Sequence, residues 1–478
     1  MITFFVCLAL LVTAYFTYGR YLERVCRIDP AAEVPSKRLC DGVDYVPMPL
    51  WRTFLIQLLN IAGIGPIFGA IMGACFGPVA FLWITFGGIF MGAMHDFISG
   101  VILVRNDGLS IPEIIGRYLG GGARQFMRVF SVLLLILVGV VFLRSPASIL
   151  GEMIPAVSYW WWIAIIIIYY FVATLLPIDA LIGRIYPVFG VALLIMAVGV
   201  LVGIFTHTGW MPEITEAFTN HHPNHSLPIF PMLFITIACG AVSGFHATQS
   251  PMMARCIKNE RMGRRVFYGA MITEGIVAMI WAAAAIKYAG GYDELQQMLT
   301  AEGNSNPALV VNFICNDWMG GIGAILAILG VVAAPVTSGD TAFRCARLIA
   351  SDILKLRQDT IWRRLAVSMP LFVIAAVLMN VNFDILWRYF AWFNQTLSIF
   401  TFWALTVWLA RNGRNFIVTL LPALFMTAVC TSYILVAPEG FRLPQAAGVA
   451  GGIAAAMILG VLFFRWLKLF KANLHNVV

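Results

Sequence analysis

Asn60-Ile61-Ala62-Gly63-Ile64-Gly65-Pro66 interrupts an apolar run that extends from about Thr53 to Ala74, and Gly240-Ala241-Val242-Ser243-Gly244-Phe245-His246 interrupts another from about Phe230 to Ser250. Proline removes a helical hydrogen bond and glycine weakens the helix around it, so backbone groups come free at a depth where lipid cannot satisfy them. A break of this kind persists in a membrane only where it lines a cavity. Paired breaks at matching positions of two halves predict the binding site of a secondary transporter, formed where half-helix ends meet near the bilayer midplane.

Composition places both runs in a membrane. Of 478 residues, 61% are hydrophobic and 11% charged, whereas about a quarter are charged in soluble domains. Apolar runs of about 20 residues predict 13 spans, near 2–19, 53–74, 79–103, 129–146, 158–176, 187–206, 229–250, 266–287, 318–340, 365–382, 387–409, 416–436 and 446–464. The basic residues test this scheme independently. Twenty-seven of them fall on one side and four (Arg144, Lys287, Arg388 and Arg442) on the other, as expected when Lys and Arg collect on cytoplasmic loops. The N-terminus is thus predicted outside and the C-terminus in the cytoplasm. The net charge of +8 reports this orientation, with lipid and not nucleic acid as the partner. Met1 to Tyr18 has no basic head of the signal-peptide kind and reads as a true first span. The nine cysteines are scattered, without disulfide or zinc spacing, and read as small apolar fillers.

No soluble domain divides residues 1–478. The longest outer connections are roughly 207–228 and 288–317, the second with helical spacing on both sides of Asn304-Ser305-Asn306-Pro307, which predicts a helical hairpin on the outer face. On the inner side Ser110-Ile111-Pro112-Glu113 has the form of a capped helix start, ending at Gly120-Gly121-Gly122. If each broken span opens a repeat, the repeats cover 53–206 and 229–409, with 1–52 and 416–478 as accessories. Five helices per repeat force opposite orientation, since the first broken span enters from the cytoplasm and the second from outside. That is the all-α, LeuT-like 5+5 inverted repeat, whose site lies between two broken helices.

Several stretches also carry a resemblance. Asp41-Gly42-Val43-Asp44-Tyr45-Val46-Pro47, Ile61-Ala62-Gly63-Ile64-Gly65-Pro66, His95-Asp96-Phe97, Arg105-Asn106-Asp107-Gly108, Ser243-Gly244-Phe245-His246 and Thr337-Ser338-Gly339-Asp340-Thr341-Ala342-Phe343-Arg344 follow one another in the order and spacing of the carbon starvation protein A family of bacterial inner-membrane transporters, which the chain resembles over about its first 350 residues. The resemblance implies peptide uptake during nutrient limitation, with pyruvate import as the alternative, coupled to protons. Longer members continue with further spans and tend to carry paired histidines where this chain has Ile56-Gln57, so a role for that pair does not transfer.

Gly63, Gly65, Pro66, Gly240, Ser243, Gly244, Phe245 and His246 form the breaks, flanked by Gln57, Asn60 and Thr248, which can hydrogen-bond a peptide's or keto acid's polar ends. A packing kink is the plainer reading of one break alone. Ionisable groups inside spans are costly and mark functional positions. Asp96 and Glu274 have no obvious local cation, and Asp340 has Arg344 one turn away as a partner. His246 can change charge near neutral pH, so these groups suit proton coupling. Thr337 and Ser338 stand where the LeuT-type fold keeps hydroxyl ligands for sodium, which gives the rival ion. His221, His222 and His225 read as a solvated loop rather than a metal site. No cofactor is expected. An intramembrane enzyme built on Ser243 and His246, or on Asp96 and Asp340, finds no nucleophile elbow, H-E-x-x-H or P-loop in support. A nutrient-sensing receptor is not distinguished by sequence.

Overall fold

In a computed structural model the chain is described over residues 1–42, 45–175, 178–216, 218–301, 306–358 and 360–475. Among these residues there is no strand. Nine helices are long and apolar enough to cross a bilayer, or ten when the bent pair Leu50–Ile61 and Gly65–Ala74 is taken as one span. The remaining expected positions hold the shorter apolar helix Tyr159–Leu175, the long helix Phe383–Arg411 and the interrupted stretch 229–254. An apolar solvent leaves the backbone no partner but itself, which is why these runs are helical. It also leaves apolar side chains outside. Val188, Val191, Ile195, Val198, Val202 and Phe205 recur every three or four residues and are each about half exposed, an uncovered stripe that suits lipid.

Both interruptions are present. The first helix stops at Ile61, Ala62 leaves helical geometry (φ −82°, ψ 61°), and a second half restarts at Gly65 with Pro66 in its first turn, bent by 49° from the first. Proline is at home there, since first-turn amides have no helical acceptor. In the second stretch helical residues end at Thr236, Gly240 takes φ +89°, Ser243 is extended, and the helix Gly244–Ala254 follows. Only glycine adopts the Gly240 conformation without strain.

Three local expectations change. The helix Tyr292–Thr300 lies in the outer connection, but its partner beginning at Pro307 runs on to Ala327, kinked at Gly320. Asn304 and Ser305 of the expected turn, and Val43 and Asp44 of the Asp41–Pro47 stretch, lie outside the described residues. Ser110 does precede a helix, Ile111–Leu119, which ends at Gly120, yet its hydroxyl makes no cap bond. Glu113 instead accepts from Arg128 at 2.6 Å, because a bond between opposite charges is stronger than a neutral one. The histidine loop is not simply solvated. His222 is buried with its ring 4.6 Å from Phe76, and His221 stacks on Tyr292 at 4.7 Å, so aromatic contacts draw the loop into the outer wall.

Candidate functional site

Asp96 lies on the helix Met94–Val104, His246 on Gly244–Ala254 and Glu274 on Gly269–Ala289. The fold brings them into one line. Asp96 Oδ1 is 2.8 Å from Nδ1 of His95, and its Oδ2 is 2.8 Å from Nδ1 of His246. Nε2 of His246 is 3.3 Å from Oε2 of Glu274, whose Oε1 accepts the amide of Gly240 at 3.2 Å. All four side chains are fully buried. Burying charges this deeply costs several kcal/mol each, an amount offset only by close opposite charge and hydrogen bonds. An ionised Asp96 accepting on both oxygens fixes the proton of each imidazole on Nδ1. His246 Nε2 and Glu274 Oε2 face each other as a close contact rather than a hydrogen bond. The partner that the sequence did not supply for Asp96 and Glu274 is His246, about 150 residues from one of them along the chain.

Cys239 stands at the same point. Its sulfur and the donor atoms of His246 and Glu274 lie within 4.8 Å of one another, so these three are the set a soft divalent ion would use. The thiol also faces Ser243 Oγ at 3.8 Å and receives Asn394 Nδ2 at 3.4 Å. Reading it as an apolar filler was therefore incomplete, because a lone cysteine gives no spacing to interpret. Asn394 was missed altogether. Its Oδ1 accepts from Ser243 Oγ at 3.1 Å and from the amide of Phe245 at 2.6 Å, so it caps the half-helix Gly244–Ala254 from a different helix. The signal was Asn394-Gln395-Thr396 inside an otherwise apolar span.

Gln57 and Asn60 are fully buried beside the first break. Gln57 Nε2 reaches Ser250 Oγ at 3.4 Å, whereas Gln57 Oε1 and both amide atoms of Asn60 have no hydrogen-bond partner. Each such buried atom costs about 1–3 kcal/mol, and together they mark a place where a ligand's polar groups would be welcome. Thr248 donates to the Phe245 carbonyl at 2.6 Å. The break glycines have another use: a Cβ on Gly63 would lie 2.7 Å from the Phe142 ring, on Gly65 2.3 Å from Cys239 Cβ, and on Gly244 2.3 Å from the carbonyl oxygen of Asn394. They let other elements approach the half-helices closely. Phe245 is buried edge-on to Phe142, ring centres 6.0 Å apart.

Thr337, Ser338 and Asp340 form a second cluster. Ser338 donates to the carbonyl of Leu59, at the end of the first half-helix, at 2.9 Å, and Thr337 donates within its own helix to Ala334 at 2.8 Å. The Tyr186 hydroxyl lies 3.0 Å from the Thr337 carbonyl and 3.3 Å from Asp340 Oδ2, while Arg344 Nη2 donates to the Ala173 carbonyl. Asp340 thus has the Tyr186 hydroxyl as a hydrogen-bond donor. Ser243 bonds Asn394, and His246 faces two carboxylates.

The profile of the family described as carbon starvation protein CstA matches residues 1–160 and 146–318. A Haemophilus influenzae protein described as an uncharacterized membrane protein is 40% identical over 353 residues, 63% of this chain and 95% of its own length. The pyruvate/proton symporter BtsT of Escherichia coli is 28% identical over 335 residues (57% of this chain, 47% of its own), and the peptide transporter CstA of Escherichia coli 28% over 350 (59% and 49%). The chain spans about half the length of these two transporters. Among solved structures, the Eremococcus coleocola manganese transporter superposes with a TM-score of 0.53 at 14% identity, over 90% of this chain and 99% of that one, a likeness of fold.

Proposed function

This chain belongs to the carbon starvation protein CstA family, and from that premise we propose that it is a secondary active transporter importing small peptides across the bacterial inner membrane under nutrient limitation, driven by protons. The observation that carries the reading is the buried line Asp96, His246, Glu274, which ends on the amide of Gly240 inside the second break. A proton on Glu274 removes the charge that holds that amide, so proton loading and the geometry of the broken helix are one event. Substrate lies between the breaks, held by Asn60, Gln57 and the half-helix ends around Gly63 to Pro66 and Gly240 to Thr248, where dipoles and freed backbone groups favour polar ligand ends.

The architecture we propose for this cycle is the LeuT-like 5+5 inverted repeat, with repeats at 53–206 and 229–409, accessory segments at 1–52 and 416–478, 13 spans, the N-terminus outside and the C-terminus in the cytoplasm. Sodium coupling through Thr337 and Ser338 is the alternative, since both hydroxyls donate to backbone carbonyls and keep oxygen lone pairs that can face a cation. Import of pyruvate or another small keto acid is the second reading, favoured by the named pyruvate/proton symporter among the relatives. Counterflow in proteoliposomes tests the proposal. Internal dialanine should drive transient accumulation of labelled dialanine, with unlabelled pyruvate competing poorly. Binding without counterflow would indicate a receptor, and counterflow of pyruvate alone would move the substrate assignment to keto acids.

A further inference from the structure

Three donor atoms converge beside the second break and are not used up by the bonds around them. Nε2 of His246 and Oε2 of Glu274 lie 3.3 Å apart, both buried and neither in a hydrogen bond. The Cys239 sulfur lies within 4.8 Å of each. With the His246 proton held on Nδ1 by Asp96, Nε2 presents a lone pair to a carboxylate oxygen that presents lone pairs of its own. Two such atoms facing each other away from water are costly unless a cation stands between them. A proton satisfies the histidine and the carboxylate alone, whereas the thiol beside them adds a third ligand of the kind a metal ion uses.

Each of the three is also held from behind. Asp96 Oδ2 lies 2.8 Å from His246 Nδ1, the Gly240 amide donates to Glu274 Oε1 at 3.2 Å, and Asn394 Nδ2 donates to Cys239 Sγ at 3.4 Å. A carboxylate behind a ligating imidazole fixes its tautomer and orientation, and partners of this kind aim the remaining atom of each ligand at the ion. The scale fits as well. A tetrahedral ion with bonds of about 2.0–2.3 Å separates its ligand atoms by about 3.3–3.8 Å, the separation already present between His246 and Glu274. The sulfur needs to move by at most about 1 Å. On binding, the Cys239 thiol gives up its proton, as does Glu274 where it carries one. Thiolate and carboxylate then cancel the two charges of the ion while His246 stays neutral, which suits a buried place. Sulfur and imidazole together select zinc or cadmium over magnesium.

We propose that Cys239, His246 and Glu274 bind one zinc-like divalent cation, which pins the second broken helix to the helix Gly269–Ala289 and thereby inhibits transport. The inhibition rests on the transporter reading, since alternating access opens the space between the breaks and two of the three ligands belong to the proton line.

Cadmium titration of the purified full chain in nanodiscs tests it, with the exposed thiol of Cys40 removed as Cys40→Ser and binding followed by cadmium–thiolate absorption in the ultraviolet. One ion per chain should bind and resist excess magnesium. Cys239→Ala should lose the absorption and weaken binding about 100-fold or more, while Asp96→Asn, which touches no ligand position, should keep the absorption and weaken binding about 10–100-fold. Cys430→Ser, a buried thiol outside the cluster, should change neither. Absence of a bound ion, or binding that is the same in Cys239→Ala, overturns the site while leaving transport standing. Zinc should also inhibit dialanine uptake into proteoliposomes, less so in Cys239→Ala. Binding as described with uptake unimpaired overturns the inhibition and takes the His246–Glu274 contact out of the transport cycle.

Discussion

Beside the second broken helix, His95, Asp96, His246 and Glu274 meet as four ionisable groups in succession, whereas beside the first, Thr337, Ser338 and Asp340 meet mainly hydroxyls and carbonyls. Both clusters are buried and both touch a break. They differ in what a small cation would have to change. In the first, a proton gained or lost at Glu274 would alter the charge facing the Gly240 amide. In the second, the Ser338 hydroxyl donates to Leu59 while its oxygen keeps lone pairs that can face an ion. Both clusters tie a broken helix to a neighbouring helix, through Glu274 and Gly240 in the first and Ser338 and Leu59 in the second.

The widest effect on this contrast should come from the junction that both clusters depend on. Gly244→Leu forces a side chain into the backbone of Asn394 and Ser398, and overpacking of this kind costs about 1–3 kcal/mol or more. Both accumulation and exchange of dialanine should vanish, with a lowered melting temperature, and normal transport would mean the half-helix is not held as described. Neutralising the first cluster should be more selective. Asp96→Asn or Glu274→Gln is expected to remove accumulation driven by a pH gradient, about tenfold for each unit of imposed pH difference if one proton carries the coupling, while exchange persists. Loss of exchange to the same degree would make these residues part of substrate binding.

Asn60→Ala should act on affinity, raising KM for uptake about tenfold if its amide atoms bond the ligand. A fall in kcat at constant KM would place it elsewhere in the cycle. The smallest change is expected in the second cluster. Ser338→Ala should alter sodium-free uptake less than about threefold and cost about 1 kcal/mol of stability for one lost hydrogen bond, read by thermal unfolding.

The breaks were legible because their cause is local: glycine and proline act on their own backbone wherever they stand. What joins the breaks was not. Asp96 and His246 are 150 residues apart and Ser243 and Asn394 are 151 apart, so only the packing of whole helices brings them together, and periodicity contains no term for that. Gly63, Gly65 and Gly244 were found, but the neighbours they admit were not, since sequence shows that a side chain is missing and not which neighbour occupies the space. Ser110 shows the reverse error, a local pattern that a tertiary ion pair between Glu113 and Arg128 overrides.

The central claim is that protons drive accumulation through the line from Asp96 to Glu274. Sodium-free proteoliposomes with an acidic exterior and a trapped internal pH dye test it directly, when dialanine is added outside. The wild type should acidify inside as dialanine accumulates, and Glu274→Gln should do neither while still exchanging labelled dialanine. Accumulation that ignores the pH gradient, requires sodium, and is lost in Thr337→Val with Ser338→Ala would contradict the account and make the hydroxyl pair the coupling site.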